Sequence, residues 1–476
     1  MGTQEVDLPL SPTALLLRCV DAPFAVLLDG GGAASWGTGQ ALLGFRPRAT
    51  LRVAADGSAR VRSAGVLETC TGDPFTLLER FCAVWAPPGD DHGGGVVAAL
   101  GYDLRYWVER LARRPPDDAD LPVLHAAAYD WLLSYSYAER RYRLASHALP
   151  ASELRYLAAE LAARSTSAPL PRPLSAAVSA GRADALPPLR AGKGARGVGP
   201  AVVSNFTKDE FVRAVERSRQ YIAAGDVYQV NLAQRFAVPA PAGAAYAPAA
   251  LFAGLQRHAM PFSAYVDAGD FTLVSNSPEC FLTMRQGLVS TFPIKGTRRR
   301  DADPNADAAH ARALRADPKE RAEHVMIVDL ERNDLGRVCQ TGSVRVDAFA
   351  EVASFPSLHH LVSQVTGRLR PGVTLAEVLR ATFPGGSITG APKIRAMQII
   401  DEIEPVGRGF YTGAIGFVGG GSAIFNIAIR TAVANRRWVT YHAGGGIVAD
   451  SIPSREYDET LLKAQPFFAA LNTVAP

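Results

Sequence analysis

The chain has 476 residues, 48% of them hydrophobic and 20% charged, with a formal net charge of +4. This balance excludes general disorder, supports a large core, and fits several domains or one large composite fold. The run Arg298-Arg299-Arg300 is too short for a nucleic-acid surface and reads as a solvated loop.

The chain opens with Gln4, Glu5 and Asp7, where a secretory signal would carry a basic start and a long apolar run. No stretch approaches the ~20 apolar residues that a membrane span needs. The cysteines Cys19, Cys70, Cys82, Cys280 and Cys339 include no C-x-x-C pair, which argues against a disulfide framework or a zinc site. A cytoplasmic protein is expected, with neither a membrane nor nucleic acid as partner.

Residues 1–164 alternate short apolar runs with turns: 24–28 before Gly30-Gly31-Gly32, and 96–100 before Gly101-Tyr102-Asp103. A helix is predicted over 151–163. Residues 165–203, rich in Ser, Ala, Pro and Gly, read as a surface linker or excursion. The region 204–476 is more sharply patterned. Thr207-Lys208-Asp209-Glu210 spells a capping box, and Phe211, Ala214, Val215, Tyr221 and Ile222 follow near helical spacing. From 227 to 236 the period becomes two, so Tyr228, Val230 and Leu232 share one face and Gln229 and Asn231 the other. Strands are predicted at 262–266, 271–275, 280–284 and 288–294, and a helix over 319–332. A hairpin runs from Gly413 to Ala432 through Gly419-Gly420-Gly421-Ser422. A last strand ends at His442, the triplet Gly444-Gly445-Gly446 follows it, and a helix begins near Ser454. Strands and helices cluster without βαβ alternation, so the expected class is α+β with antiparallel sheets.

Two predicted helices place glutamates three apart, Glu320 with Glu323 and Glu456 with Glu459. Residues at that spacing share a face, so each pair can aim two hard oxygen donors at one point, as Mg²⁺ prefers; each reads equally as solvated helix surface. Lys295, in Pro293-Ile294-Lys295-Gly296-Thr297, has an apolar flank that could desolvate its amine and make it nucleophilic; a surface turn lysine is the plainer reading. Glu279, at a strand boundary, is either a proton donor with a raised pKa or a turn residue in a salt bridge. Arg430 is expected on a strand face with Asn426 and Ala428, suited to a carboxylate, with backbone N–H groups from Gly444, Gly445 and Gly446 nearby. The loop 383–393 is rich in glycine but lacks Walker spacing. His324 reads as a base or as a structural histidine.

Six segments, in order, resemble motifs of the chorismate-utilising enzymes: 225–232, Ser277-Pro278-Glu279, 293–297, 319–338, 383–393 and 443–463. That family includes component I of anthranilate synthase and of aminodeoxychorismate synthase, with isochorismate and salicylate synthases. The likeness is strong over 204–476; residues 1–150 match loosely, mainly at Gly101-Tyr102-Asp103-Leu104. It implies large antiparallel sheets packed as a sandwich with helices outside. It also implies a Mg²⁺ cofactor held by Glu320, Glu323, Glu456 and Glu459, gripping the ring carboxylate of chorismate. Tyr411, Arg430, Gly444, Gly446 and Lys463 would contact substrate carboxylates, Thr297 and His324 would line the pocket, and Glu279 would protonate the departing C4 hydroxyl.

Gln229 stands where the water-adding members carry Lys, which argues against water addition. Lys295 stands where anthranilate synthases usually carry Ala, and the resemblance makes it a nucleophile at C2. An aminodeoxychorismate synthase is thus implied, feeding 4-aminobenzoate and folate synthesis. Its ammonia would come from a separate glutamine amidotransferase subunit, since no glutaminase signature is present. Anthranilate synthase component I and a non-catalytic, partner-binding paralogue are the alternatives. Leu27-Leu28-Asp29-Gly30 lacks the Ser of the family's tryptophan-binding signature, so tryptophan inhibition is not expected.

Overall fold

A computed structural model describes residues 2–474, apart from 33–38, 88–91, 113, 117, 167–201, 241–246 and 356–357. Its frame is two twelve-stranded sheets, antiparallel throughout. In the first, neighbours run Gly2–Val6, Arg141–Ser146, Trp131–Ser136, Gln40–Gly44, Val26–Asp29, Phe262–Asp267, Phe271–Ser277, Thr431–Asn435, Trp438–Ile447, Gln229–Pro239 and Val203–Ser204. The short strand Gly390–Ala391 also pairs with Gln229–Pro239. In the second they run Ile294–Arg299, Leu358–Arg368, Leu288–Thr291, Cys280–Arg285, Ser422–Ile427, Ala414–Gly419, Gly95–Leu100, Leu124–Tyr129, Ala49–Val53, Ser58–Ser63 and Val66–Thr71, with Arg345–Ser354 also on Leu358–Arg368.

The sheets pack face to face. Val26, Leu28, Ala264, Val266 and Leu273 of the first meet Val97, Ala99, Ala127, Ile415 and Phe417 of the second. Period-two alternation sends the other side chains outward, where helices cover them. Pro12–Cys19, Ala151–Thr166, Ala247–Leu255 and Pro453–Val474 bury one outer face. Phe75, Leu78 and Phe81 of the helix Pro74–Trp85 join Val53, Val96 and Ala98 on the other. At about 1.5–3 kcal/mol for each large apolar side chain removed from water, these layers hold the sandwich together.

Both sheets mix strands from 1–164 and 204–476: Val26–Asp29 pairs with Phe262–Asp267, and Gly95–Leu100 with Ala414–Gly419. The division read from the sequence therefore marks a lapse in periodicity, not a seam in the sheets. Of the expected linker 165–203, residues 167–201 lie outside the described residues. Among the described residues no helix is long and apolar enough to cross a membrane.

Caps set the helix starts. Thr207 N donates to Glu210 Oε2 at 2.9 Å and Glu210 N to Thr207 Oγ1 at 3.2 Å, the expected capping box. Pro318–Gly336 starts on Asp317, whose carboxylate accepts from Lys319 N at 3.0 Å and Glu320 N at 3.2 Å. The preset φ of Pro318 at the first helical position suits that start.

A buried ion pair braces the strand of Gln229. Arg408 and Glu404 are 2% and 4% exposed. Arg408 donates to Asn231 O at 2.9 Å and Ile388 O at 3.3 Å, while Glu404 accepts from Ala233 N at 2.9 Å. Arg408→Ala leaves Glu404 charged and uncompensated, so a loss of about 3–5 kcal/mol is expected. A lower denaturant midpoint at unchanged slope would report it, and an unchanged midpoint would refute it.

Candidate active site

Two of the chain's crossings between the sheets run side by side. Phe271–Ser277 of the first sheet leads into Cys280–Arg285 of the second through Pro278 and Glu279. Ser422–Ile427 of the second returns to Thr431–Asn435 of the first through residues 428–430. Ile427 N donates to Glu279 O and Asn276 N to Arg430 O, both at 3.0 Å. Arg430 was expected on a strand face; it sits instead on this crossing with φ +49°.

Lys295 lies near the start of Ile294–Arg299, and a bulge at Gly296 follows it. Gly296 has φ +72°, and a Cβ there would stand 3.1 Å from Glu320 Oε2. The bare backbone thus admits the carboxylate helix. The Lys295 side chain is 15% exposed, with Nζ 3.8 Å from Glu323 Oε2 and 3.4 Å from Gln229 Oε1. Burial lowers its pKa from the ordinary lysine value, and the charge of Lys463 adds to this. The carboxylates of Glu323, Glu279 and Glu320 oppose the shift.

Glu279 is buried, and Ser387 Oγ donates to its Oε1 at 2.6 Å. Burial pushes this carboxyl up to about 7, against the Ser387 hydrogen bond and the Lys295 charge. A group titrating there can give up a proton near neutrality. Ser387 belongs to the loop 383–393 and is pinned by Asn231 Nδ2, which donates to Ser387 O at 3.0 Å. Gln229 and Asn231 do share a face, as their spacing predicts, and Gln229 Nε2 is buried without a hydrogen-bond partner among the described residues.

The glutamate pairs approach from two helices, Pro318–Gly336 and Pro453–Val474. Burial raises the Glu320 carboxyl and the charge of Glu323 adds to it. Burial likewise raises Glu456, with a hydrogen bond from Ser451 opposing and Glu459 adding. A Cβ on Gly445 would lie 3.5 Å from both Glu456 Oε2 and Glu459 Oε1, so that glycine faces the second pair. Mutual repulsion and hard oxygen donors suit a divalent cation. Among the described residues, however, no three His, Cys, Asp or Glu side chains converge as a closed metal site. Glu323 pairs with Lys295, and Glu459 with Lys463 at 2.7 Å. Such open pairs would suit an ion that keeps much of its water shell better than one caged by protein.

The glycine triplet also departs from expectation. Gly444, Gly445 and Gly446 lie inside the strand Trp438–Ile447, not after it, and pair with Ala233, Leu232 and Asn231. The neighbouring Thr431–Asn435 reaches no further than Tyr441, so one edge is free beyond it. Gly444 O accepts from Lys463 Nζ at 2.8 Å, so the backbone groups of Gly444, and two residues on of Gly446, point to that edge.

Thr297 Oγ1 lies 3.0 Å from His360 Nδ1. His360 is buried, its Nε2 has no partner among the described residues, and burial with the Arg430 charge lowers its pKa to about 4. Sequence reasoning missed His360 as well as Ser387; the period-two placement of His359 and His360 on opposite faces was the available signal. Burial also lowers the pKa of Arg430. Tyr411 stacks on His442 with ring centroids 5.0 Å apart. His324 is buried with Nε2 2.6 Å from Ser363 Oγ, and burial lowers its pKa to about 4. Its ring is thus held against Leu358–Arg368 and lies 5.8 Å from that of Phe349.

Residues 25–469 match the model of a chorismate binding enzyme family. The aminodeoxychorismate synthase component 1 of Klebsiella aerogenes is 39% identical over 95% of this chain and 94% of its own length. The anthranilate synthase component 1 of Pseudomonas aeruginosa is 36% identical over 97% and 93%. Anthranilate synthase component I from Streptococcus pneumoniae superposes with a TM-score of 0.72 at 28% identity, covering 90% of this chain and 92% of that one. The menaquinone-specific isochorismate synthase of Escherichia coli shares the fold, with a TM-score of 0.68 at 17% identity over 99% and 95%. The chain belongs to the chorismate-binding enzyme family. It is a chorismate-utilising enzyme whose sandwich of antiparallel sheets was the expected one.

Proposed function

We propose that this chain aminates chorismate at C4, as component I of an aminodeoxychorismate synthase. The observation that carries the reading is the half-buried Lys295 amine, set between the Gln229 amide and Glu323 and within the field of the near-neutral acid Glu279. Lys295 Nζ attacks C2, the ring double bonds shift, and the C4 hydroxyl leaves as water with the Glu279 proton. Ammonia then attacks C4, the double bonds shift back, and the Lys295 amine departs from C2. The Glu279 carboxylate recovers a proton from the new ammonium. The net change is chorismate and ammonia to 4-amino-4-deoxychorismate and water, the precursor of 4-aminobenzoate and folate.

Glu320, Glu323, Glu456 and Glu459 would hold Mg²⁺, which supplies an electrostatic grip on the ring carboxylate. Arg430 and the free edge at Gly444 and Gly446 would receive substrate carboxylates, with Thr297, Tyr411 and Lys463 beside them. His324, neutral and held by Ser363, would shape the pocket wall. A separate glutamine amidotransferase subunit would deliver ammonia; the component 1 relatives support that division of labour.

The similar identity of the Pseudomonas aeruginosa relative keeps anthranilate synthase as the second reading. Incubation of the purified chain with chorismate, Mg²⁺ and ammonium salt separates the two by product mass and fluorescence. 4-Amino-4-deoxychorismate is expected; anthranilate would overturn the assignment, and no turnover would favour a non-catalytic paralogue. Chelation is expected to abolish turnover and added Mg²⁺ to restore it. Full turnover in excess chelator would refute the metal's role.

A further inference from the structure

Glu331 lies on the helix of Glu320 and Glu323, is 6% exposed, and takes no part in the mechanism above. Thr291 Oγ1 stands 2.8 Å from Phe281 O and 2.6 Å from Glu331 Oε2. A threonine hydroxyl carries one proton, and a backbone carbonyl can only accept. One proton cannot serve both contacts: given to Phe281 O, it leaves the short contact to Glu331 to be made by a proton on the Glu331 carboxyl. We propose that Glu331 is a positioning residue held as a neutral carboxylic acid, whose proton seats Thr291 and, through it, the segments carrying Glu279 and Lys295.

The placement supports this. Phe281 follows Glu279 by two residues on the strand Cys280–Arg285, and Thr291 precedes Lys295 by four. Glu331 thus ties the helix Pro318–Gly336 to both. The charged groups facing it are Glu279, Asp334 and Lys393. Lys393 is engaged by Asp334 and by Thr382 O, so it offers Glu331 no direct partner. Burial pushes the Glu331 carboxyl up to about 8, the charges of Glu279 and Asp334 adding and Lys393 opposing; a Thr291 hydroxyl turned to donate to the ionised carboxylate would oppose it as well. Above that pH the Thr291 hydroxyl turns to donate its hydrogen bond to the ionised Glu331, and Phe281 O loses its donor beside the acid.

The effect on turnover rests on the proposed amination; the protonation of Glu331 does not. Wild type, Glu331→Gln and Glu331→Leu are compared. The amide of Glu331→Gln donates to Thr291 as the acid does, and Leu cannot. A wild-type-minus-Gln infrared difference should show the carbonyl stretch of a buried carboxylic acid below neutrality, fading through about pH 8. The wild-type alkaline limb of kcat should fall with two protons, and that of Glu331→Gln with one. Glu331→Leu should lose about tenfold in kcat at neutral pH with KM little changed, while Glu331→Gln stays within about twofold of wild type. No carboxylic-acid band, a two-proton limb in Glu331→Gln, or equal rates in the two variants would each overturn the proposal. If Glu331→Leu does not fold, the band and the Glu331→Gln limb decide. Anthranilate as product would sink the C4 reading, while the infrared band would still test Glu331.

Discussion

Lys295→Ala is expected to lower 4-amino-4-deoxychorismate formation by about 10²–10⁴-fold, the range over which one positioned reacting group is worth. The fold should survive, because Lys295 contributes only a long ion pair to Glu323 and a hydrogen bond to Gln229. The measurement is product formation under saturating chorismate and ammonium, with circular dichroism as the control for folding. A variant that forms the product at the wild-type rate would remove the amine from the mechanism. Loss of rate with loss of structure is separated by Lys295→Arg, which keeps a cation beside Glu323 and offers no nucleophilic amine.

Glu279→Gln should also cost about 10²–10⁴-fold in kcat, since the amide keeps the shape of the acid but has no proton to give. In the wild type, kcat should fall as pH rises through about 7, where Glu279 ionises. The substitution acts on stability with the opposite sign to its effect on kcat. The Glu279 carboxyl is raised from 4.5 to about 7 in the fold. The stability linked to its proton is therefore complete below the ordinary carboxylate range and is lost as pH rises through about 7. Gln has no charge to bury, so above neutrality the variant should be more stable than wild type, by up to about 3 kcal/mol. Denaturant midpoints measured on both sides of neutrality would show it. A variant that is slower but no more stable at alkaline pH would mean that Glu279 does not carry a buried charge there.

Much of this was legible in the residues because the relevant patterns are local. The Thr207 and Glu210 box, the helix bearing Glu320 and Glu323, and the shared face of Gln229 and Asn231 depend only on near neighbours. Failures came where distant strands decide. The alternation of Phe425, Ile427 and Ile429 runs past the strand end at Ile427, so Arg430 looked like a strand residue. Nothing local announces a positive φ at an arginine. Gly444, Gly445 and Gly446 were expected after the last strand because glycine disfavours strands. Pairing with Asn231, Leu232 and Ala233 overrides that preference, and a Cβ on Gly444 would collide with Leu232 O. His360 gained meaning only through its partner Thr297, some sixty residues earlier in the chain. The interleaving of both halves in both sheets could not be read from either half alone.

Glu279 and Arg430 stand on the two adjacent passages between the layers, laced together by main-chain hydrogen bonds. The proton donor and the cation therefore share one main-chain frame, so a shift of either passage carries the other with it.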